Sequence, residues 1–136
     1  MRKIEHIGIA VKNIEEANKT YRDLLGTEAY KAEEVESEGV LTSFFKIGES
    51  KIELLSATNG DSPIAKFLDK RGEGIHHIAF DVEDIEKEIA DLEQKGFTLI
   101  NKKAKKGADN KMVAFLHPKS SHGVLVELCQ EINNNK

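Results

Sequence analysis

From His6 to Val11, apolar side chains alternate with small or polar ones. Ile7, Ile9 and Val11 fall on one face, and His6, Gly8 and Ala10 on the other. A period of two predicts a strand. Asn13 then stands as an N-cap with Glu16 three residues on, the spacing of a capping box. Ile14, Ala17, Tyr21 and Leu24 or Leu25 recur at helical spacing until Gly26, a natural C-terminal stop. The same order returns from His77: an alternating run, Asp84 as cap, Ile85, Ile89 and Leu92 along one helical face, and Gly96. Further strands are predicted at Val40 to Ile47, Lys51 to Leu55, Thr98 to Ile100, Met112 to Leu116 and Val124 to Cys129, with glycine-rich or polar stretches between them. Ser62 before Pro63 opens a short helix between the two runs.

The two runs are copies. H-I-G-I-A-V-K-N-I-E-E-A from His6 aligns without gaps on H-I-A-F-D-V-E-D-I-E-K-E from His77, and each half closes on a similar strand, Ile52-Glu53-Leu54-Leu55 and Val126-Glu127-Leu128-Cys129. His6 and His77 lie 71 residues apart, and Glu53 and Glu127 lie 74 apart, so one duplication accounts for both offsets. The predicted organisation is therefore one domain of the α+β class, 1–136. It is built from tandem βαβββ modules, about 1–58 and 74–131, joined by a connector helix at about 62–71. Each module alone is too small to bury much, so the two are expected to form one curved, cleft-containing mixed sheet.

Composition narrows the function by exclusion. Charged residues make up 32% of the chain and hydrophobic ones 39%, with a formal charge of −4. No basic face is large enough for nucleic acid; Lys102, Lys103, Lys105 and Lys106 make one short cluster, read as a solvated loop or a contact for an anionic small molecule. No apolar run approaches the roughly 20 residues of a membrane span. Cys129 is the one cysteine, so a disulfide within the chain and a cysteine zinc site are both excluded. With no leader pattern ahead of the first strand, a cytoplasmic protein is expected.

The candidate chemistry lies on the face opposite the apolar one. Small residues, Gly8 and Ala79, stand beside His6 and His77 and leave space that a packed core would fill. Glu53 and Glu127 interrupt apolar strands, although an unpaired buried carboxylate is costly. One histidine or one glutamate in such a place is ordinarily structural. The same pair at equivalent places in both copies is different, because it supplies two imidazoles and two carboxylates. That donor set suits one divalent ion, Co, Ni, Mn or Zn, with positions left for water or substrate. His76 alternates away from His77 and reads as structural; His117 and His122 read as surface residues.

These features resemble the vicinal oxygen chelate superfamily over nearly the whole chain. H-I-G-I-A-V at 6–11, S-P-I-A-K-F-L at 62–68, G-E-G-I-H-H-I-A-F at 72–80, H-P-K-S at 117–120 and G-V-L-V-E-L at 123–128 are similar, more narrowly, to its methylmalonyl-CoA epimerases. The resemblance implies metal ligands His6, Glu53, His77 and Glu127, proton transfer through an enolate by Glu127 and Glu53, an acyl-CoA substrate and a homodimer. It also offers Gly107, Ala108, Lys119 and Ser120 as substrate contacts. Two departures stand out. Many such epimerases carry glutamine where this chain has Glu53, while metal-dependent bacterial glyoxalase I carries glutamate. A second acid found on the strand after the first helix of some members falls on Thr42 here, with Glu36 and Glu38 nearby. Glyoxalase I is accordingly the rival reading. A non-catalytic binding protein of the same fold is a further one, disfavoured by the complete ligand set.

Overall fold

The structure, a computed structural model, describes residues 1–132. Its elements run β1 (Lys3–Ala10), α1 (Ile14–Leu25), β2 (Lys31–Val35), β3 (Val40–Ile47), β4 (Ser50–Ala57), α2 (Pro63–Arg71), β5 (Gly74–Asp81), α3 (Ile85–Gln94), β6 (Lys105–Lys106), β7 (Lys111–Leu116) and β8 (Val126–Glu131). The expected βαβββ, helix, βαβββ order is present. The chain divides into two compact units: His6–His76, and Met1–Glu5 with the residues from His77 onward. The first five residues join the second unit because Arg2 donates to Asp81, from its backbone N–H to the carbonyl (2.9 Å) and from its Nε to the carboxylate (2.8 Å).

In the first unit the strands lie in the order β2-β3-β4-β1, with β1 parallel to β4 and the other neighbours antiparallel. Asn13 caps α1 by accepting from the Glu16 N–H at 3.0 Å. Arg22 accepts from the Gly26 N–H, and Gly26 takes φ 72°, a left-handed conformation that costs glycine little. Ile14, Ala17, Tyr21 and Leu25 pack on Val11, Phe45 and Leu54. This cluster covers one sheet face and leaves the other for chemistry. α2 closes one end of that second face, where Ile64, Phe67 and Leu68 pack on Ala10 and Leu55.

The second unit repeats the plan in the order β5-β8-β7-β6. Asp84 caps α3 through the Lys87 N–H at 3.2 Å. Ile85, Ile89 and Leu92 are fully buried against Val82, Ala114, Leu116 and Leu128.

Two strand assignments need correction. Thr98–Ile100 forms no strand: Leu99 makes one isolated bridge to Leu116, and the third strand of the module is Lys105–Lys106 instead. Backbone bonds flank that bridge, from the Ile100 N–H to the Phe115 carbonyl and from the His117 N–H to the Thr98 carbonyl (both 2.8 Å), and side chains end the pairing there, with Ser120 Oγ accepting from the Thr98 N–H (2.9 Å) and Asn101 Oδ1 from the Phe115 N–H (2.9 Å). In the first unit β2 was not anticipated at all. K-A-E-E-V has no apolar alternation, because it is an edge strand, and charge on an edge guards against pairing with another chain.

Candidate metal centre and active site

Strand register sets the site face of the first unit. Glu53 on β4 has Phe44 as its Cα partner on β3 and Gly8 on β1; His6 has Lys51, and Ala10 has Leu55. Partners in register share a face, so His6, Gly8, Phe44 and Glu53 all look away from α1. Phe44 is fully buried, and with Gly8 it leaves Glu53 a narrow apolar seat with no bulk on the β1 side. His6 Nδ1 lies 3.1 Å from Glu53 Oε2, and both side chains are more than nine-tenths buried.

The second unit builds the same seat. Glu127 on β8 is flanked by Ala79 on β5 and Phe115 on β7. His77 Nε2 lies 3.0 Å from Glu127 Oε1, and the imidazole sits edge-on to Phe115 with ring centroids 5.9 Å apart. The matches Gly8 to Ala79 and Phe44 to Phe115 show that duplication preserved the neighbours of each pair as well as the pair itself.

These distances are those of an imidazole–carboxylate hydrogen bond, and they also suit two ligands of one ion. Two donors each roughly 2.1 Å from an ion and at a right angle to one another lie roughly 3.0 Å apart. The 3.1 and 3.0 Å separations match that value in each unit separately. The donor chemistry agrees as well: imidazole and carboxylate suit Zn, Ni, Co or Mn, and a buried carboxylate needs a positive partner.

Further charge is buried on the site face of the second unit. Glu5 lies 3.8 Å from Lys111 Nζ, with both side chains almost wholly enclosed. On β8 Cys129 lies between Glu127 and Glu131, the register partner of Lys111, and its thiol donates weakly to the Phe80 carbonyl. Burial pushes that thiol far above its ordinary range, and the negative charges of Glu127, Glu5 and Asp81 push it further. It is therefore packing, and no nucleophile.

The remaining sequence candidates fall as follows. Gly107 opens the β6–β7 turn; a Cβ there would meet a Val113 methyl at 3.0 Å, so a larger residue would have to displace that side chain. Ala108 follows, and Asp109 and Asn110 both take φ 58° to complete the turn. Lys119 and Ser120 lie in the one-turn 3-10 helix Pro118–Ser121, where His117 Nδ1 accepts from the Lys119 N–H at 3.1 Å. Ser120 Oγ holds Thr98 and keeps its own O–H to donate. His117 and His122 are exposed, and His76 is packed edge-on to Phe67 of α2 at 4.9 Å. Lys102 lies 3.7 Å from Glu93 of α3, the helix on the opposite side of the sheet from Glu127. Thr42 is buried on the site face beside Leu55, and Glu33 is its register partner on β2. The strand that follows the first helix thus brings Glu33 to the site face, and neither Glu36 nor Glu38, which lie in the exposed 3-10 turn Glu36–Glu38. Glu33 was missed because its strand was.

Residues 5–115 match the model of the Glyoxalase/Bleomycin resistance protein/Dioxygenase superfamily, and the chain belongs to that superfamily. Within it, several relatives are methylmalonyl-CoA epimerases. The mitochondrial methylmalonyl-CoA epimerase of Homo sapiens is 40% identical over 129 residues, covering 94% of this chain and 73% of that one. The ethylmalonyl-CoA/methylmalonyl-CoA epimerase of Cereibacter sphaeroides is 41% identical over 130 residues, covering 94% and 97%. A variant of the Streptomyces coelicolor methylmalonyl-CoA epimerase, solved in complex with 2-nitronate-propionyl-CoA, superposes with a TM-score of 0.92 at 37% identity, covering 96% of this chain and 95% of that one.

Proposed function

We propose that this chain is a metal-dependent methylmalonyl-CoA epimerase, interconverting the (R) and (S) forms by removing and returning the α-proton. The observation that carries the reading is the doubled buried His–Glu pair at ligand-to-ligand distance; relatives of epimerase activity at about 40% identity supply the substrate. His6, Glu53, His77 and Glu127 together would hold one divalent ion, one pair contributed by each half of the duplication. When bound, that ion supplies Lewis-acid stabilisation for the charge that develops as the proton leaves.

The protein's own part is to place proton carriers and exclude water. Inversion needs an acceptor on one side of the carbon and a donor on the other. Glu127 and Glu53, coming from opposite copies of one module, are that pair. Phe44 and Phe115 seat the two carboxylates among apolar atoms, where a proton taken up is not readily lost to solvent. The Ser120 hydroxyl, the Lys119 ammonium and the Gly107–Ala108 backbone are assigned to the substrate. A cytoplasmic homodimer is part of this reading; exposed Leu24 and Ile75 offer apolar surface for the dimer. No helix among the described residues is long and apolar enough to cross a membrane.

Proton NMR in deuterated water tests the reading. One enantiomer of methylmalonyl-CoA should gain deuterium at the α-carbon and racemise, and a chelator should stop both. Isomerisation of the methylglyoxal–glutathione adduct, with no exchange on methylmalonyl-CoA, would establish glyoxalase I instead.

A further inference from the structure

Between β4 and α2 the chain runs Thr58-Asn59-Gly60-Asp61-Ser62, and Asn59-Gly60 is the one asparagine–glycine step in the sequence. Thr58 to Asp61 are exposed, whereas Ser62, which caps α2 by accepting from the Ala65 N–H at 3.0 Å, is buried. Asn59 Oδ1 accepts from the Asp61 N–H at 2.9 Å, an Asx turn. That bond closes a ring containing both the Asn59 Cγ and the Gly60 nitrogen, and it polarises the side-chain carbonyl. The Gly60 N–H itself donates to no group among the described residues. Nor does the fold require glycine here: a Cβ on Gly60 would meet open space, and its φ is not positive. Gly39 makes the contrast. It takes φ 62°, and a Cβ there would meet the Asn59 amide nitrogen and the Ser62 Cβ at 2.8 Å each. The Asn59 side chain and the start of α2 are thus packed together on the Gly39 backbone, whose carbonyl accepts from the Thr58 N–H at 2.9 Å.

We infer that Asn59 is a site of spontaneous covalent modification, converted in the folded protein to aspartate and isoaspartate through a cyclic imide with Gly60. The Gly60 nitrogen gives its proton to solvent base and attacks the Asn59 Cγ. A nitrogen–carbon bond forms, the carbon–nitrogen bond of the side-chain amide breaks, and ammonia leaves. Water then adds across either imide carbonyl, its hydroxyl going to the carbon and its proton to the ring nitrogen. Opening on one side leaves aspartate. On the other, the main chain runs through Cγ and is longer by one methylene. Both steps are redox-neutral and need only water. A side chain on the following residue would crowd the closing ring, so the missing Cβ of Gly60 favours it. Asn13, Asn18, Asn101 and Asn110 are each followed by isoleucine or lysine. The lengthened link falls between the Thr58 anchor and the Ser62 cap. It loosens α2, whose Ile64, Phe67 and Leu68 pack on Ala10 and Leu55. Aspartate keeps the Oδ1 acceptor and only adds a charge near the acidic turn Glu36–Glu38, a smaller disturbance.

Incubation of the whole chain in mildly alkaline buffer, followed by peptide mass spectrometry, tests this. The Asn59 peptide should gain about 1 Da and split into aspartyl and isoaspartyl forms, roughly tenfold faster than any peptide carrying Asn13, Asn18, Asn101 or Asn110. Gly60→Ala should slow the gain roughly tenfold, while its urea midpoint does not fall. The isolated isoaspartyl form should unfold roughly half a molar lower in urea than fresh protein, the size of a lost helix cap, with Asn59→Asp between the two. Conversion no faster at Asn59 than at the other asparagines, or equally fast in Gly60→Ala, would overturn the assignment. An isoaspartyl form as stable as fresh protein would overturn its link to α2.

Discussion

The two halves of this molecule are copies that diverged unevenly, and where they stayed alike is informative. Each holds a His–Glu pair at 3.0 to 3.1 Å, a small residue on one side of the glutamate and a phenylalanine on the other. Away from the pair they part. α3 buries Ile85, Ile89 and Leu92 completely, whereas no residue of α1 is fully buried. Under the proposed function both copies of the pair would be needed as metal donors, which accounts for their likeness. The surrounding helix packing has no such constraint.

The largest effects should come from breaking the matched pair unequally. Glu127→Gln should lower kcat about 10³-fold, since the amide cannot carry the proton. Glu53→Gln should cost about 10²-fold, a smaller loss because glutamine keeps an oxygen donor for a metal although its amide cannot carry the proton. Steady-state assays on both variants check the ranking, and near-native activity in Glu127→Gln would remove it from the mechanism.

Helix packing comes next. Ile89→Ala should cost about 3 kcal/mol, as for other buried large-to-small changes. Ile14→Ala, on the half-exposed face of α1, should cost about 1 kcal/mol. Urea midpoints distinguish them, and equal losses would show that the helices pack alike. The caps, by contrast, are equivalent in both halves. Asn13→Ala and Asp84→Ala should each cost about 1 kcal/mol, read from the same unfolding curves.

The smallest effect is a pH dependence confined to the second half. Cys129 is held protonated in the folded protein, while an unfolded thiol ionises near 9.0. Its raised folded value means the unfolded state binds fewer protons above pH 9, so stability falls as pH rises past that point. Cys129→Ala should flatten the fall between pH 8 and pH 10 relative to wild type; parallel curves would show that the thiol takes no part.

Much of this was legible in the sequence for a physical reason. Where one face of a strand is buried, alternation marks the strand and its register together, so His6, Gly8, Glu53, His77, Ala79 and Glu127 could be assigned to one kind of face before any coordinates. Caps were equally visible, since Asn13, Ser62 and Asp84 satisfy local donors. β2 was not visible, because an edge strand of lysine and glutamate has no buried face to leave a pattern. Thr98–Ile100 misled for the opposite reason: its composition suits a strand, but the pairing stops after one bridge, where Ser120 and Asn101 side chains take the next hydrogen bonds.

The central claim is that both copies of the pair serve one ion. Titrating metal-free protein with cobalt, followed by absorbance and calorimetry, tests it most directly. One ion per chain should bind in the wild type, and His6→Ala and His77→Ala should each lose tight binding although each leaves the other half's pair untouched. Two ions per chain, or tight binding retained in either variant, would contradict it.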